Sequence, residues 1–151
     1  MMPIEPVLVE IRQEQQAAGE VVRPGATPAE IAAAEAQVRA QLGATLPLDY
    51  AAFLAIRNGV DYNGLVLYGA LDTPAHPGPG GFWQGLVAAN KAWRSESGNE
   101  QLLILGDSDM DLYAVPVAGG APGKFDRVTG ERVESYSDVE TMIETALRDR
   151  L

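Results

Sequence analysis

The sequence contains no cysteine and only one histidine, His76. The lack of cysteine excludes disulfides, thiolate metal sites and cysteine nucleophiles, and it fits a reducing compartment. His76 lies in the proline- and glycine-rich stretch 72–81, where no second ligand and no orienting carboxylate is evident. We therefore expect His76 to be a solvated loop residue, and we expect the chain to bind no metal and no cofactor.

Basic residues are scarce, with 11 Lys and Arg against 21 Asp and Glu, which gives a net charge of -10. An acidic surface repels phosphate backbones and anionic lipids, so nucleic acids and membranes are poor candidate partners. A protein with a basic surface is a natural partner, because opposite electrostatic fields raise the association rate. Plain solubility is the alternative explanation of the same charge.

Long apolar runs are also missing, since the longest, residues 102–105, has the length of a strand rather than of a membrane span. The first ten residues carry neither a basic segment nor the apolar segment of a secretory signal. We expect a cytoplasmic protein, and 151 residues are typical of one domain.

Hydrophobic spacing divides the chain into helical and extended segments. It predicts helices over residues 4–17, 28–42, 47–57, 82–97 and 139–147, and strands over 65–68, 102–105, 112–117, 125–128 and 132–136. Helices and strands do not alternate as in parallel α/β folds, so we predict an α+β fold with a mostly antiparallel twisted sheet packed with several helices. Residues 1–26 form an N-terminal amphipathic helix and connector, and residues 27–151 form the main domain.

Several local signals define where these elements begin and end. Thr27 and Glu30 form a capping box around Pro28, and Gly43 is placed to end the helix. Ser137 and Glu140 predict a second capping box. Residues 106–111 predict a turn, and residues 60–64 predict a second, exposed turn.

Asp107, Asp109 and Asp111 are the densest acidic cluster, with the spacing of the first half of a calcium loop. Leu112 and Ala118 stand where that loop needs Gly and Glu, so a tight turn is the favoured interpretation and a protein contact the alternative. No Walker motif and no nucleophile elbow is present either. We therefore predict a binding protein rather than an enzyme.

Tyr62 lies beside Asp61 in the predicted exposed turn, and an exposed tyrosine is a suitable interface anchor. Packing of the ring within its own turn is the alternative. The predicted partner-binding residues are those of the two turns: Asp61, Tyr62, Asp107, Asp109 and Asp111.

An ordered set of motifs resembles the SUKH (Smi/Knr) superfamily, nearest to its YrhA-like branch. The set begins with Leu46-Pro47-x-x-Tyr50-x-x-Phe53-Leu54-x-x-x-Asn58-Gly59. It continues with Gly64-Leu65-x-Leu67-Tyr68-Gly69, Leu103-Ile104-Leu105-Gly106-Asp107, Tyr113-Ala114-Val115 and Tyr136-Ser137-Asp138. The resemblance covers about residues 27–151 of the chain.

This resemblance implies an α+β fold without catalytic residues. Bacterial members of the superfamily are mostly immunity proteins that neutralise toxins, whereas fungal members are regulators of cell-wall synthesis. The chain lacks the long disordered flanks of the fungal regulators, so we expect an immunity protein that binds a cognate bacterial toxin. A non-catalytic regulatory or scaffold module is the alternative.

Overall fold

The computed structural model describes residues 4–72, 84–95 and 98–151. The helices in this part of the chain are α1 (Ile4–Ala17), α2 (Pro28–Gln37), α3 (Leu48–Ile56), α4 (Leu86–Trp93) and α5 (Val139–Arg148). The strands are β1 (Val60–Tyr62), β2 (Leu65–Leu67), β3 (Leu102–Asp107), β4 (Asp111–Pro116), β5 (Gly123–Asp126) and β6 (Arg132–Ser135). The predicted α+β fold with an antiparallel sheet is confirmed.

The six strands form one antiparallel sheet in the order β1-β2-β3-β4-β5-β6. One row of register partners crosses the whole sheet: Asp61, Val66, Asp107, Leu112, Phe125 and Arg132. Directly opposite residues project on the same side of a sheet and strand neighbours on opposite sides. Asp61 and Asp107 therefore share one face, whereas Tyr62 and Asp111 belong to the other.

The register of β3 depends on Gly106, where the pairing with β4 shifts by one residue. A Cβ at this position would collide with the backbone oxygen of Val66 on β2. Glycine is therefore required because the two backbones approach too closely for any side chain.

Helix ends follow the capping residues. Thr27 Oγ1 accepts from the Glu30 N–H at 3.1 Å, and Glu30 Oε1 accepts from the Thr27 N–H at 2.9 Å, which completes the predicted capping box. A π-helical turn, Val38–Leu42, extends α2 and ends at Gly43 in the left-handed conformation with φ 65°.

The core joins α1, α3 and α5 to the sheet. The α5 helix packs against α1 and α3, and α4 packs against β3. The side chains of Ile4, Ile11, Tyr50, Phe53 and Leu54 are fully buried, so both α1 and α3 contribute to a single core. Within the described residues no helix has both the length and the apolarity to span a bilayer.

Residues 60–64 correct one sequence prediction. The segment is not an exposed turn: residues 60–62 form the edge strand β1, and only Asn63 and Gly64 make the turn to β2. Tyr62 is 6% exposed, and its hydroxyl donates to Glu14 Oε2 at 2.6 Å. Burial, together with this bond to Glu14, raises the pKa of Tyr62 to about 12.

Other predicted boundaries also differ. The predicted strand 125–128 is β5 at Gly123–Asp126, so Val128 lies in a turn and not in a strand. Residues 106, 107 and 111 belong to strands, so the predicted turn 106–111 narrows to residues 108–110. The N-cap of α5 is Asp138, whose Oδ1 accepts from the Thr141 N–H at 2.7 Å, rather than Ser137. The α4 helix begins only after Gly85, whose N–H donates to Asp72 Oδ1 at 2.6 Å.

Some predictions lie outside the described residues. They concern His76, almost all of the predicted loop 72–81, and residues 82, 83, 96 and 97 of the predicted fourth helix.

Candidate protein-binding surface

Two neighbouring turns form one end of the sheet. Residues 108–110 connect β3 to β4, and residues 127–131 connect β5 to β6. The Arg127 N–H donates to the Met110 carbonyl at 3.1 Å, and the Arg127 side chain donates to the Ser108 carbonyl. We call these two turns together the turn face. Arg127 links the two turns through one backbone and one side-chain hydrogen bond.

Large apolar side chains lie on the turn face with no cover from the described chain. Met110 is 68% exposed and Val128 is 93% exposed. Single exposed apolar residues are common on proteins, but two on adjacent turns that are bonded to each other form a local apolar patch. Only Met110 carried a signal in the sequence, as an apolar residue inside the predicted turn 106–111, whereas Val128 was predicted at the end of a strand.

A cleft of about 270 Å³ opens beside the turn face, and its lining includes Gln84, Trp93, Asp107 and Arg127. The Arg127 guanidinium lies over the Trp93 ring at 5.0 Å from its centroid. Tryptophan and arginine are the residue types most enriched at the energetic centres of protein interfaces. In the sequence, Trp93 was only one position of the predicted helix 82–97, and no motif marked Arg127.

Asp107 is the acidic residue of this cleft. Its Oδ2 accepts the Tyr68 hydroxyl, and its Oδ1 lies 3.8 Å from Arg127 Nη1. Burial raises the pKa of Asp107, while the Tyr68 hydrogen bond and the Arg127 charge oppose that shift. The carboxylate is thus part of a hydrogen-bonded wall and not a free surface charge.

Tyr68 completes this wall. Its hydroxyl donates to Asp107 and accepts from Trp93 Nε1 at 2.8 Å, so α4, β3 and the residue after β2 are joined at one point. Burial first, and the neighbouring Asp107 charge second, raise the pKa of Tyr68 well above its ordinary value. The hydroxyl therefore remains protonated at neutral pH and serves to orient Asp107 and Trp93.

Asp109 and Asp111 have different surroundings. The Asp109 side chain is 77% exposed, with Oδ1 3.7 Å from Arg150 Nη2. Asp111 is half-buried and lies directly opposite Asp126 on β5. The Asp126 carboxylate accepts hydrogen bonds from the N–H groups of Val128 and Thr129 at 2.8 and 2.9 Å. Those two bonds lower the pKa of Asp126 and shape the β5–β6 turn.

The predicted acidic residues therefore do not form one patch. Asp107 and Asp61 share a sheet face, two strands and about 10 Å apart. Asp109 belongs to the turn face, and Tyr62 is buried against α1. Within the described residues, no group of three or more His, Asp or Glu side chains is arranged to hold a metal ion.

Comparisons with known proteins give the fold. No family model and no curated protein matches the chain. A crystal structure of a protein from Pseudomonas syringae pv. tomato superimposes with a TM-score of 0.60 at 18% identity, covering 90% of this chain and 92% of that chain. This chain therefore shares the α+β fold of that protein over almost its whole length.

Proposed function

We propose that the chain is an immunity protein that binds a cognate bacterial toxin and neutralises it by protein contact, with the turn face and its cleft as the contact surface. The observation that carries this proposal is the exposed pair Met110 and Val128 beside the cleft of Trp93 and Arg127. Apolar side chains next to a tryptophan and an arginine are the composition of an interface centre.

The charge distribution supports the same surface. Asp109 is exposed at the rim of the apolar pair, and the chain as a whole carries a net charge of -10. Charged residues at a rim accelerate encounter with an oppositely charged protein without themselves being buried in the complex. A toxin with a basic surface is the partner that this arrangement favours.

The motif that resembles the SUKH superfamily supports the proposal in a different way. Tyr50, Phe53 and Leu54 are fully buried, and Asn58 Oδ1 accepts from the Ala70 N–H at 2.8 Å. These residues hold the fold together and leave its outer surface unconstrained. A fold maintained in this way accommodates turns that fit different toxins.

The proposal is tested by co-expressing the chain with the toxic product of its neighbouring gene, scored by growth rescue and co-purification. We expect rescue and a one-to-one complex. The double variant Met110→Glu/Val128→Glu should lose rescue, because it places two charges in the centre of the contact. We expect the complex to weaken by at least about tenfold.

Leu48→Glu provides the matched control, because Leu48 is an equally exposed apolar residue on α3, outside the turn face. It should rescue growth as the wild type does. If the double variant rescues as well as Leu48→Glu, the turn face is not the contact surface. If a neighbour shown to be toxic is neither bound nor neutralised, that pair is excluded and the regulatory-module alternative is favoured.

A further inference from the structure

A second concave site lies on different elements, between α1 and the end of α3. It is a cleft of about 370 Å³ whose lining includes Glu5, Leu8, Val9, Arg12, Ile56 and Arg57. This volume falls within the range of about 300–1,000 Å³ that is typical of small-molecule sites. The lining combines aliphatic side chains with two arginines and one carboxylate, Glu5, so it carries a net positive charge and suits a ligand that is both apolar and anionic.

Arg57 is the unusual member of this lining because it is only 2% exposed. Its Nη2 donates to Gln15 Oε1, but Nε and Nη1 are buried without a hydrogen-bond partner in the described part of the chain. Buried polar groups are nearly always paired, so two guanidinium nitrogens without a partner on one cation require an explanation.

A neutral amide, Gln15, bonds to this arginine, and the charge of Glu20 offsets the Arg57 charge only in part. Gln15 is oriented by donating to the Asp61 carbonyl at 2.9 Å and to Glu20 Oε1 at 3.2 Å, so its oxygen faces Arg57. Glu20 thus bonds to Gln15, and within the described residues no carboxylate forms an ion pair with Arg57. The guanidinium keeps its charge inside the fold.

Arg12 adds a second positive charge to the same cleft. Its side chain is exposed and makes no ion pair with any residue that the structure describes. Burial first, and repulsion from the Arg12 charge second, lower the pKa of Arg57 to about 10, while the Glu20 charge opposes that shift. A bound anion would relieve that repulsion.

We propose that this cleft binds an aliphatic carboxylate. The carboxylate group pairs with Arg12 close to the buried charge of Arg57, and the hydrocarbon chain lies along Leu8, Val9 and Ile56. One buried and one exposed arginine beside an apolar wall select a ligand with one anionic end and one apolar end. The site is built from elements other than the turn face and does not depend on toxin binding.

Calorimetric titration of the full chain with octanoate, with octanol as the uncharged analogue, tests this assignment. We expect one molecule of octanoate to bind and octanol to bind at least about tenfold more weakly. Arg12→Gln should weaken octanoate binding by about tenfold, because it removes the exposed half of the arginine pair. Arg39→Gln is the matched control: Arg39 is an exposed arginine outside the cleft, and its loss changes the net charge equally.

Val9→Glu provides a second variant on an exposed position, so the fold is not at risk. Its carboxylate would reach the same arginines from within the chain and should abolish octanoate binding. The assignment is overturned if octanoate fails to bind at millimolar concentration or if octanol binds equally well. It is also overturned if Arg12→Gln binds as Arg39→Gln does or if Val9→Glu leaves binding unchanged.

Discussion

Single buried polar residues fix the positions of whole elements in this fold. Asn90 on α4 is fully buried, and its Nδ2 donates to the carbonyls of Leu86 at 2.9 Å and Ile104 at 2.8 Å. Its Oδ1 accepts from the Ile104 N–H at 2.8 Å. The one side chain thus pairs with both backbone groups of a central β3 residue and locks α4 onto the sheet.

Asn90→Leu should therefore destabilise the protein strongly. The substitution leaves the buried N–H and carbonyl of Ile104 without partners, at about 1–3 kcal/mol for each group. We expect the free energy of unfolding to fall by about 2–6 kcal/mol in urea denaturation. Gln13→Ala, at an exposed position of α1, should change it by less than about 0.5 kcal/mol. Equal midpoints for the two variants would show that the Asn90 bonds contribute nothing.

Glu140 is a single residue whose ionisation should make the stability of the protein depend on pH. Its Oε2 is buried without a partner in the described chain, and its pKa is raised from the ordinary value of 4.5 by burial first and by Asp49 and Asp138 next. A raised pKa in the folded state means that the ionised form disfavours folding. Below pH 4.5 the Glu140 side chain is mainly protonated and costs little stability. The free energy of unfolding then falls as the pH rises from 4.5 to the raised pKa, and it stays lower above that pKa.

Glu140→Gln should accordingly raise the Tm at neutral pH and leave it nearly unchanged at about pH 4, where the wild-type side chain is protonated in both states. Glu35→Gln, at an exposed position of α2, controls for the change in net charge. Thermal melts of both variants at the two pH values provide the measurement. A stabilisation that is as large at low pH as at neutral pH would contradict the titration of Glu140 as its cause.

At the scale of elements, long periodic segments were predicted with nearly correct ends, whereas of the two three-residue strands β2 was predicted and β1 was not. The α1 stripe of Ile4, Val7, Leu8 and Ile11 and the capping box at Thr27 gave helices with nearly correct ends. The β1 strand was missed because Val60–Tyr62 has only three residues between two Asn-Gly pairs, too few for alternation to show. Its pairing with β2 exists only in the folded chain.

The start of α5 shows why cap positions are difficult to assign from sequence. Ser137 and Asp138 are adjacent, both are good N-caps, and Glu140 completes a capping box only for Ser137. The folded chain uses Asp138, since its Oδ1 reaches the Thr141 N–H. Hydrogen bonds from the Thr141 side chain first and from the Thr141 N–H second lower the pKa of Asp138.

Asp138→Ala should therefore lower the free energy of unfolding by about 1 kcal/mol, the usual cost of losing an N-cap. Ser137→Ala, one residue earlier, should cost less than about 0.5 kcal/mol. Chemical denaturation of the two variants under one buffer separates the alternatives. The reverse order of stabilities would restore Ser137 as the cap.

At the scale of the whole molecule, the sequence predicted the exposure of some of the candidate residues but not of others. Charge and turn position correctly placed Asp109 on an exposed turn. They failed for Tyr62 and Asp107 because burial depends on contacts distant in sequence, with Glu14 and with Tyr68. The cleft could not be predicted from the sequence for the same reason, because Trp93 and Arg127 come together only through tertiary packing.

The net charge of -10 predicts how a complex with a basic toxin should form. Asp109→Lys reverses an exposed charge at the rim of the turn face and should slow association by about threefold to tenfold at low salt. The dissociation rate should change little, because a rim charge stays solvated in the complex. At high salt the difference should shrink, since screening shortens the range of the field.

Glu35→Lys makes the same change in net charge on α2 and separates a local from a global effect. Stopped-flow association of both variants with the toxin, across a series of salt concentrations, provides the comparison. A loss of rate confined to Asp109→Lys identifies the turn face as the surface that meets the toxin first. Equal losses of association rate in the two variants would mean that the electrostatic field of the whole molecule steers association. The exposed apolar pair Met110 and Val128 would then be the only remaining support for the turn face as the contact surface.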